Sequence, residues 1–570
     1  MKRPHEGLVF NDSDLYKWIE AASWSLAQRP DRQLEQRVDE GIALIEAAQQ
    51  PDGYVSTLYA VDRAADRFTN LRDNHELYCA GHLIQAAVAH RRATGSDRLL
   101  RVARRFADLA CDTFGPAVAG RRAGLDGHQE VELALVELYR ETGERRYLDQ
   151  ARYFLEARGH GLLDGGRWGR EYFQDHRPFR ELDRMTGHAV RALYYNAGVT
   201  DLYLETGDAS LLSALSRLWA HMVARQSYIS GGLGARHDGE SFGKDYELPN
   251  AQAYTETCAA IGCIMWCHRM LAATGDARYA DVLEWTLFNA LLPGWSLDGT
   301  AYFYVNPLED GGDHRRQPWY TCACCPPNVA RTIASLPGYV YSTQGEDSVF
   351  VHLYVQGTAR IRLDGERVVG LTQRTRYPWS GDVEFQVDAE GELTLHLRIP
   401  DWSGPVGASL WVNDRPQPLA LSPGSYAALR RTWRPGDRVL LQLPMPVRFQ
   451  ESHPAVLENT DRVAITRGPL LYCLEGVDHP GADLRQVEVT PGEGLAERWR
   501  AELLGGVAVL YGPARERSLD ERWTGRLYRP FQDAHASREH DIALTAVPYF
   551  AWQNRAPGPM QVWLHRAENE

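Results

Sequence analysis

Lysine is nearly absent from this chain: Lys2, Lys17 and Lys244 are the only three in 570 residues, and arginine carries the rest of the positive charge. The deficit reads as codon bias in a GC-rich genome. With a formal net charge of −13 and no basic stripe, nucleic acid is excluded as a partner. Long apolar runs are missing too. No segment reaches the roughly 18 apolar residues of a membrane span, and the opening "MKRPHEGLVFNDSDLYKW" lacks the apolar stretch of a signal peptide. Cysteine is scarce, with 9 residues odd in number and unevenly spread, unlike a secreted disulfide framework. A cytoplasmic protein with reduced thiols and no membrane partner is expected.

What is present divides in two. From about residue 12 to 340, segments such as "LYKWIEAASWSLA" and "EVELALVELYRETG" repeat apolar residues at i, i+3, i+4 and i+7, a helical period. From about 343 onward short alternating runs take over ("VFVHLYVQG", "ELTLHLRIP", "DRVLLQLP"), separated by turn residues as in antiparallel β-sandwiches. A length of 570 residues allows two to four domains. The 16 Trp and 27 Tyr suit sugar faces, though such rings also fill cores.

The helical half repeats a Thr-Gly step at Thr94-Gly95, Thr142-Gly143, Thr206-Gly207 and Thr274-Gly275. Glycine after a helix is a left-handed stop, and the Asp, Ser or Glu that follows suits a new start. The irregular spacings fit looped helical hairpins, as in an (α/α)6 toroid, and not a short-repeat solenoid. The helices that end at these steps are expected to begin near His82, His128, His188 and the Glu256/Cys258 pair. Four equivalent starts would surround one mouth. A lone histidine at a helix start is more often a cap or a packed side chain; three at equivalent positions point to a shared pocket.

Residues 321–328, "TCACCPPN", crowd three cysteines into four positions and close with two prolines, which stiffen the segment. Glu256, Cys258, Cys324 and Cys325 make a four-ligand set suited to Zn²⁺; buried free thiols or a structural zinc clip are the plainer alternatives. Cys263 and Cys267 fit an apolar helix face, and Cys79, Cys111 and Cys473 read as packed thiols. The glycine-rich stretch "GGLGARHDGESFGKDYELPNAQAYTETCA" offers Glu240 and Glu247. A glycosidase needs a proton donor beside a nucleophile, and a metal-held thiolate can be that nucleophile. Residue types alone do not choose between the two glutamates.

Together "FTNLRDNHELYCAGHLIQAAVAH", "DGHQEVELALVELYRETG", "GESFGKDYELPN", "YTETCA", "YVNPLE", "CACCPPN" and "VPYFAWQNRAPGPMQVW" resemble glycoside hydrolase family 127, bacterial β-L-arabinofuranosidases with a zinc-bound cysteine. The resemblance runs nearly the whole length. It implies an α+β multidomain chain: an (α/α)6 barrel catalytic domain at 1–340, an antiparallel, jelly-roll-like β-sandwich at 341–450 completed by strands of 540–570, and a second sandwich at 451–539, the candidate contact of a homodimer. It also implies Glu256, Cys258, Cys324 and Cys325 as zinc ligands, Cys324 as nucleophile and Glu240 as acid/base. His82, His128 and His188 would bind the sugar, with Tyr304, in preference to Tyr302, near the nucleophile. The implied substrate is a short arabinofuranosyl oligosaccharide or glycoside, cleaved with retained configuration. Rival readings are the same site acting on another furanoside or an acidic plant sugar, a lyase or epimerase on the same helical fold, and a carbohydrate-binding protein with structural zinc.

Overall fold

The structure is a computed structural model and describes residues 6–61, 63–116, 120–404, 407–492, 494–518, 527–528 and 538–567. The expected domain spans also include 1–5, 519–526, 529–537 and 568–570, which lie outside the described residues.

The N-terminal part is helical. In chain order the helices are α1 (Asp12–Gln28), α2 (Arg32–Ala48), α3 (Thr57–Val61), α4 (Glu76–Thr94), α5 (Arg98–Thr113), α6 (Val131–Thr142), α7 (Arg145–Ala157), α8 (Ala189–Thr206), α9 (Ala209–Arg225), α10 (Thr257–Thr274), α11 (Ala277–Thr286), α12 (Cys325–Ser335) and α13 (Pro337–Val340). Helices α1, α4, α6, α8, α10 and α12 touch in sequence and close into a ring, with α12 against both α10 and α1. Helices α2, α5, α7, α9 and α11 each pack on the ring helix that precedes them.

Residue patterning explains which helices go inside. In α4 every residue from Glu76 to His90 is buried, as in a helix covered on all sides. In α5 Leu99, Val102, Ala103, Phe106, Ala107 and Ala110 make one buried stripe, while arginines 101, 104 and 105 stay on the other face. The Thr-Gly stops work alike at four ring helices. Gly95, Gly143, Gly207 and Gly275 all have φ between 67° and 77°, the left-handed geometry that glycine adopts without Cβ strain. At each stop the threonine hydroxyl donates to the carbonyl four residues back, at 2.7–2.8 Å. Tight turns therefore occupy one end of the ring, and the longer connections fall at the end where ring helices begin.

The strands are β1 (Glu309–Asp310), β2 (Tyr341–Gln344), β3 (Ser348–Val351), β4 (Gly357–Arg362), β5 (Val368–Thr375), β6 (Asp382–Asp388), β7 (Gly391–Ile399), β8 (Ser409–Val412), β9 (Arg415–Pro416), β10 (Ser425–Trp433), β11 (Asp437–Gln442), β12 (Val447–Gln450), β13 (Arg462–Arg467), β14 (Leu470–Glu475), β15 (Val487–Val489), β16 (Ala496–Arg500), β17 (Val507–Ser518), β18 (Arg538–Pro548), β19 (Met560–Gln561) and β20 (Leu564–Arg566). Two sheets, β10-β7-β3-β2 and β4-β5-β6-β11-β8-β9, share one core in which Leu395 and Leu397 meet Phe385 and Leu441. The third sheet runs β1-β19-β14-β18-β17-β15-β20-β13-β12, with β16 on β17. This corrects one expectation: the strands of 540–570 do not complete the 341–450 unit. Strand β18 pairs with β17 from Leu510↔Ala546 to Ser518↔Arg538, and that long antiparallel ladder ties the C-terminal strands to their own sheet. Among the described residues no helix is long and apolar enough to cross a membrane.

One buried clasp joins the β part to the helical part. Arg398 on β7 is fully buried and donates to Asp281 and Glu284 of α11, each at 2.5 Å, and to the His352 carbonyl at 2.6 Å. Tyr377 Oη and Trp402 Nε1 also donate to Glu284, at 2.7 and 3.2 Å. Burial pushes the Asp281 carboxyl up to about 6, against the pull of the guanidinium. Removing the arginine strands two buried carboxyls. Arg398→Met is expected to lower the unfolding free energy by about 3–5 kcal/mol, read as an earlier urea midpoint; an unchanged midpoint would show that the clasp does not hold the parts together.

Candidate active site

At the starting ends of the ring helices lies a cavity of about 170 Å3, lined among others by His75, Tyr78, His128, Tyr172, His188, Arg191, Glu240, Glu256, Tyr304 and Cys324. Two helix starts build its floor. Glu256 is the N-cap residue of α10 and Cys258 lies in that helix's first turn. Cys324 caps α12, which opens with Cys325, Pro326 and Pro327. Proline fits there because the first turn of a helix has no partner for its N–H groups. The remaining free amides and the helix dipoles favour negative charge at this point.

Four acidic groups converge on the floor. Cys258 Sγ is 3.8 Å from Cys324 Sγ and 3.3 Å from Cys325 Sγ, and the latter two are 3.8 Å apart. Glu256 Oε1 lies 3.6 Å from Cys324 Sγ and 3.7 Å from Cys325 Sγ. All four ligand atoms fall within 4.8 Å of one another, and the set could hold a metal ion. A cation roughly 2.3 Å from each sulfur in a tetrahedron sets the sulfurs about 3.8 Å apart, close to two of these three spacings. Glu256 Oε2 is buried and makes no hydrogen bond, so a second carboxylate oxygen stands unspent at the same point. Asn328 donates to Cys258 Sγ at 3.2 Å, and Arg331 holds Asn328 through a 2.6 Å bond to its Oδ1. Burial raises the Cys258 thiol, but its hydrogen bonds with Cys324 and Cys325 outweigh it and bring the group down to about 6.

Glu240 faces this cluster from the glycine-rich loop. It sits in a short turn, Asp238–Glu240, with φ of 71° at Gly239 and 52° at Glu240. A non-glycine residue in that region carries strain that its surroundings must hold. His75 and Thr255, both at the site, share the trait with φ of 54° and 37°. Gly239 leaves room for Tyr172 and Trp168, which a Cβ would meet at 3.1 and 3.3 Å. The Glu240 carboxylate accepts from Tyr254 Oη at 2.6 Å and lies 2.9 Å from His188 Nε2. His188 caps α8, its Nδ1 accepting from the Arg191 amide, so the ring proton belongs on Nε2 and points at Glu240. Burial alone would raise the Glu240 carboxyl; the bonds from His188 and Tyr254 and the charge of Arg191 overcome it and hold the group at about 2. Glu247, the other glutamate of the loop, is instead bound to Arg236 at 2.5 and 2.6 Å and does not line the cavity.

Tyr304 bridges the two halves of the site, its hydroxyl 3.1 Å from Cys324 Sγ and 3.5 Å from Glu240 Oε1. Tyr302 does not line the cavity; its backbone pairs with Trp295 and Gln317. His128 lines the cavity and spends Nδ1 on the Gln129 carbonyl at 2.9 Å. Burial drives it well below the usual imidazole range, so neutral Nε2 remains as an acceptor.

His82 is a correction. It lies well inside α4, which begins at Glu76, and it is fully buried beside Glu130 with Nδ1 3.1 Å from Oε1. A ring helix covered on all sides keeps that imidazole in the wall, away from the cavity. The histidine at this helix's start is His75, whose Nδ1 is 2.7 Å from the Asp73 carbonyl and which burial lowers to about 3. The signal was present in "DNHEL", where Glu76 follows directly and suits a first turn. Tyr78, Tyr172, Arg191, Tyr254 and Asn328 also went unread, because single aromatic and polar residues in helices and loops carry no motif of their own.

Residues 2–338 match the family model of the β-L-arabinofuranosidase, GH127 catalytic domain, 348–445 its middle domain and 447–565 the family's C-terminal domain. The chain belongs to glycoside hydrolase family 127. It is a glycosidase. A non-reducing end β-L-arabinofuranosidase of Bifidobacterium longum subsp. longum is 38% identical, over 98% of this chain and 90% of that one. A solved family 127 β-L-arabinofuranosidase from Geobacillus stearothermophilus T6 superposes with a TM-score of 0.94 at 42% identity, covering 100% of this chain and 92% of that chain. A second solved structure, a family 127 β-arabinofuranosidase, gives 0.90 at 38% identity, with 99% and 89% covered.

Tyr254→Phe removes one of the bonds that keep Glu240 ionised. A charge-assisted hydrogen bond of about 1.5 kcal/mol corresponds to roughly one pH unit. The protonation midpoint of Glu240, followed by infrared difference spectroscopy of the carboxylate, is expected to rise by about that much in the variant. An unmoved midpoint would show that Tyr254 does not set the charge of Glu240.

Proposed function

We propose that the protein is a retaining β-L-arabinofuranosidase that removes terminal β-L-arabinofuranosyl groups from the non-reducing end of short glycosides. The observation that carries this is the reach of Tyr304, 3.1 Å from the Cys324 thiol and 3.5 Å from the Glu240 carboxylate. A thiol and a carboxyl that share one phenol oxygen lie within about 6.6 Å of each other, at or below the lower edge of the roughly 6.5–9.5 Å span of inverting pairs and toward the roughly 5–5.5 Å of retaining ones. We read the closed ring of helices as an (α/α)6 barrel and the facing sheets behind it as jelly-roll-like sandwiches.

Glu256, Cys258, Cys324 and Cys325 would hold zinc, which suits three thiolates and a carboxylate. When bound, it keeps Cys324 ionised near neutral pH and leaves the four-donor centre with a net charge of −2. Cys324, the one donor of the four that is not buried, attacks the anomeric carbon. Glu240 protonates the glycosidic oxygen, and the aglycone departs as a thioglycosyl bond forms at Cys324. Glu240, now ionised, takes a proton from water, which attacks the anomeric carbon and frees Cys324. The sugar leaves with its configuration retained. The low proton affinity of Glu240 suits the base step; negative charge on the neighbouring donors would raise it toward what the acid step requires. His75 and His128, both neutral, offer acceptors to sugar hydroxyls. The homodimer implied by the family resemblance, and the cytoplasmic location expected from the sequence, belong to this proposal.

Hydrolysis of p-nitrophenyl β-L-arabinofuranoside, with the anomer of the first product read by NMR, tests it. Retained configuration is expected, together with a fall of 10²–10⁴-fold in Glu240→Gln and near-complete loss in Cys324→Ala with the fold intact. Inverted product, or a Cys324→Ala variant that keeps most of its rate, would overturn the assignment.

A further inference from the structure

Lys17 is one of three lysines in the chain and is 1% exposed, on the inner face of α1. Its ammonium donates to Tyr78 Oη at 2.8 Å and stands 5.2 Å from the centre of that ring. Among the described residues it makes no ion pair. A buried ammonium without a carboxylate partner is costly, and a nearby buried acid does not relieve it: burial pushes Glu130 up to about 8, so it keeps its proton at neutral pH. Another buried cation of this region, Arg331, is by contrast engaged with Glu20, Gln85, Tyr194 and Asn328.

The hydrogen bond has a defined direction. An ammonium can only donate, so the Tyr78 oxygen accepts and its own proton must point elsewhere. Tyr78 lines the cavity with Cys258, Cys324, His75 and His128. Its ring is fixed edge-on against His82 at 4.5 Å and packs on His128 at 4.6 Å, which leaves the phenol little freedom. Burial keeps it protonated. The imidazoles His75 and His128 have each spent Nδ1–H on a backbone carbonyl, so both offer acceptors there. Tyr78 adds a donor beside those two acceptors.

We propose that Lys17 is a positioning residue that sets Tyr78 as a hydrogen-bond donor to the sugar in the cavity, making Tyr78 a substrate-binding residue. The inference rests on the arabinofuranosidase assignment above. A furanoside carries oxygens that accept as well as hydroxyls that donate, and on this side of the cavity His75 and His128 would meet only the latter. The net negative charge of the neighbouring thiolate centre also gives the buried ammonium its electrostatic counterpart, which explains why a lysine is held there without a salt bridge.

The test compares the wild type, Tyr78→Phe, Lys17→Met, Lys17→Arg and the Lys17→Met/Tyr78→Phe double variant, by kinetics on the aryl arabinofuranoside and by calorimetric binding of free L-arabinose. Tyr78→Phe is expected to raise KM and weaken L-arabinose binding about 10-fold, with kcat within about 3-fold, as for one lost hydrogen bond. Lys17→Met should reproduce that split, the double variant should be no worse than Tyr78→Phe, and Lys17→Arg should recover most of the loss. A Tyr78→Phe enzyme with unchanged KM and L-arabinose affinity overturns the inference even if Lys17→Met fails to fold. So does a Lys17→Met enzyme that loses only stability or kcat, which marks a purely structural role. Failure of the substrate assignment appears separately, in the wild type, as neither turnover nor L-arabinose binding, and it removes the inference as well.

Discussion

Three thiols and a carboxyl, with ligand atoms within 4.8 Å of one another in a largely buried place, repel each other once ionised, and the rest of the site follows from meeting that constraint. Two ring helices begin there, so their free amides and dipoles face the acidic atoms. The side-chain amide of Asn328 donates to one thiol and is itself held by Arg331. Another buried cation, Lys17, lies behind Tyr78 in the cavity wall. What these groups leave uncompensated fits the charge of one divalent cation, for which three sulfurs and one oxygen are the right chemistry.

The ring of helices delivers those atoms to one end because its turns are uneven. Four Thr-Gly stops use up the far end in short connections, each secured by a threonine hydroxyl and a left-handed glycine. The connections between hairpins are long and run over the other end, where they bring Glu240, Tyr254 and Tyr304 across from the cysteines. The strained turn at Gly239–Glu240 is held by packing on Tyr172 and Trp168 and by the bonds from Tyr254 and His188. The β domains, clasped through Arg398, contribute β19, which pairs with β1 just after the Tyr304 segment.

Much of this was legible in the residues. Helical periodicity, the Thr-Gly repeat and the crowding of Cys322, Cys324 and Cys325 are local signals. The grouping of Cys324 and Cys325 with Glu256 and Cys258 was offered by their donor chemistry and implied by the family resemblance; that two helix starts bring them together is visible only in the fold. The choice of Glu240 over Glu247 was not legible without the family resemblance, because both lie in one loop and it is the folding of that loop, which sets Glu247 on Arg236 and the Lys244 amide, that takes Glu247 away from the cavity. His82 was misread for a similar reason: in a helix buried on every side periodicity fades, and the true start at His75 and Glu76 is marked only by the acid in the first turn. The strands after 540 return to their own sheet by long-range pairing, which alternation of residues cannot reveal.

The central claim is that Glu256, Cys258, Cys324 and Cys325 form one metal centre at the floor of the sugar pocket. Zinc X-ray absorption spectroscopy on the purified full chain reads that centre directly. Three sulfur neighbours at about 2.3 Å and one oxygen at about 2.0–2.2 Å are expected, with one sulfur lost in Cys324→Ala. A shell dominated by nitrogen or oxygen, or one that Cys324→Ala leaves unchanged, would contradict it.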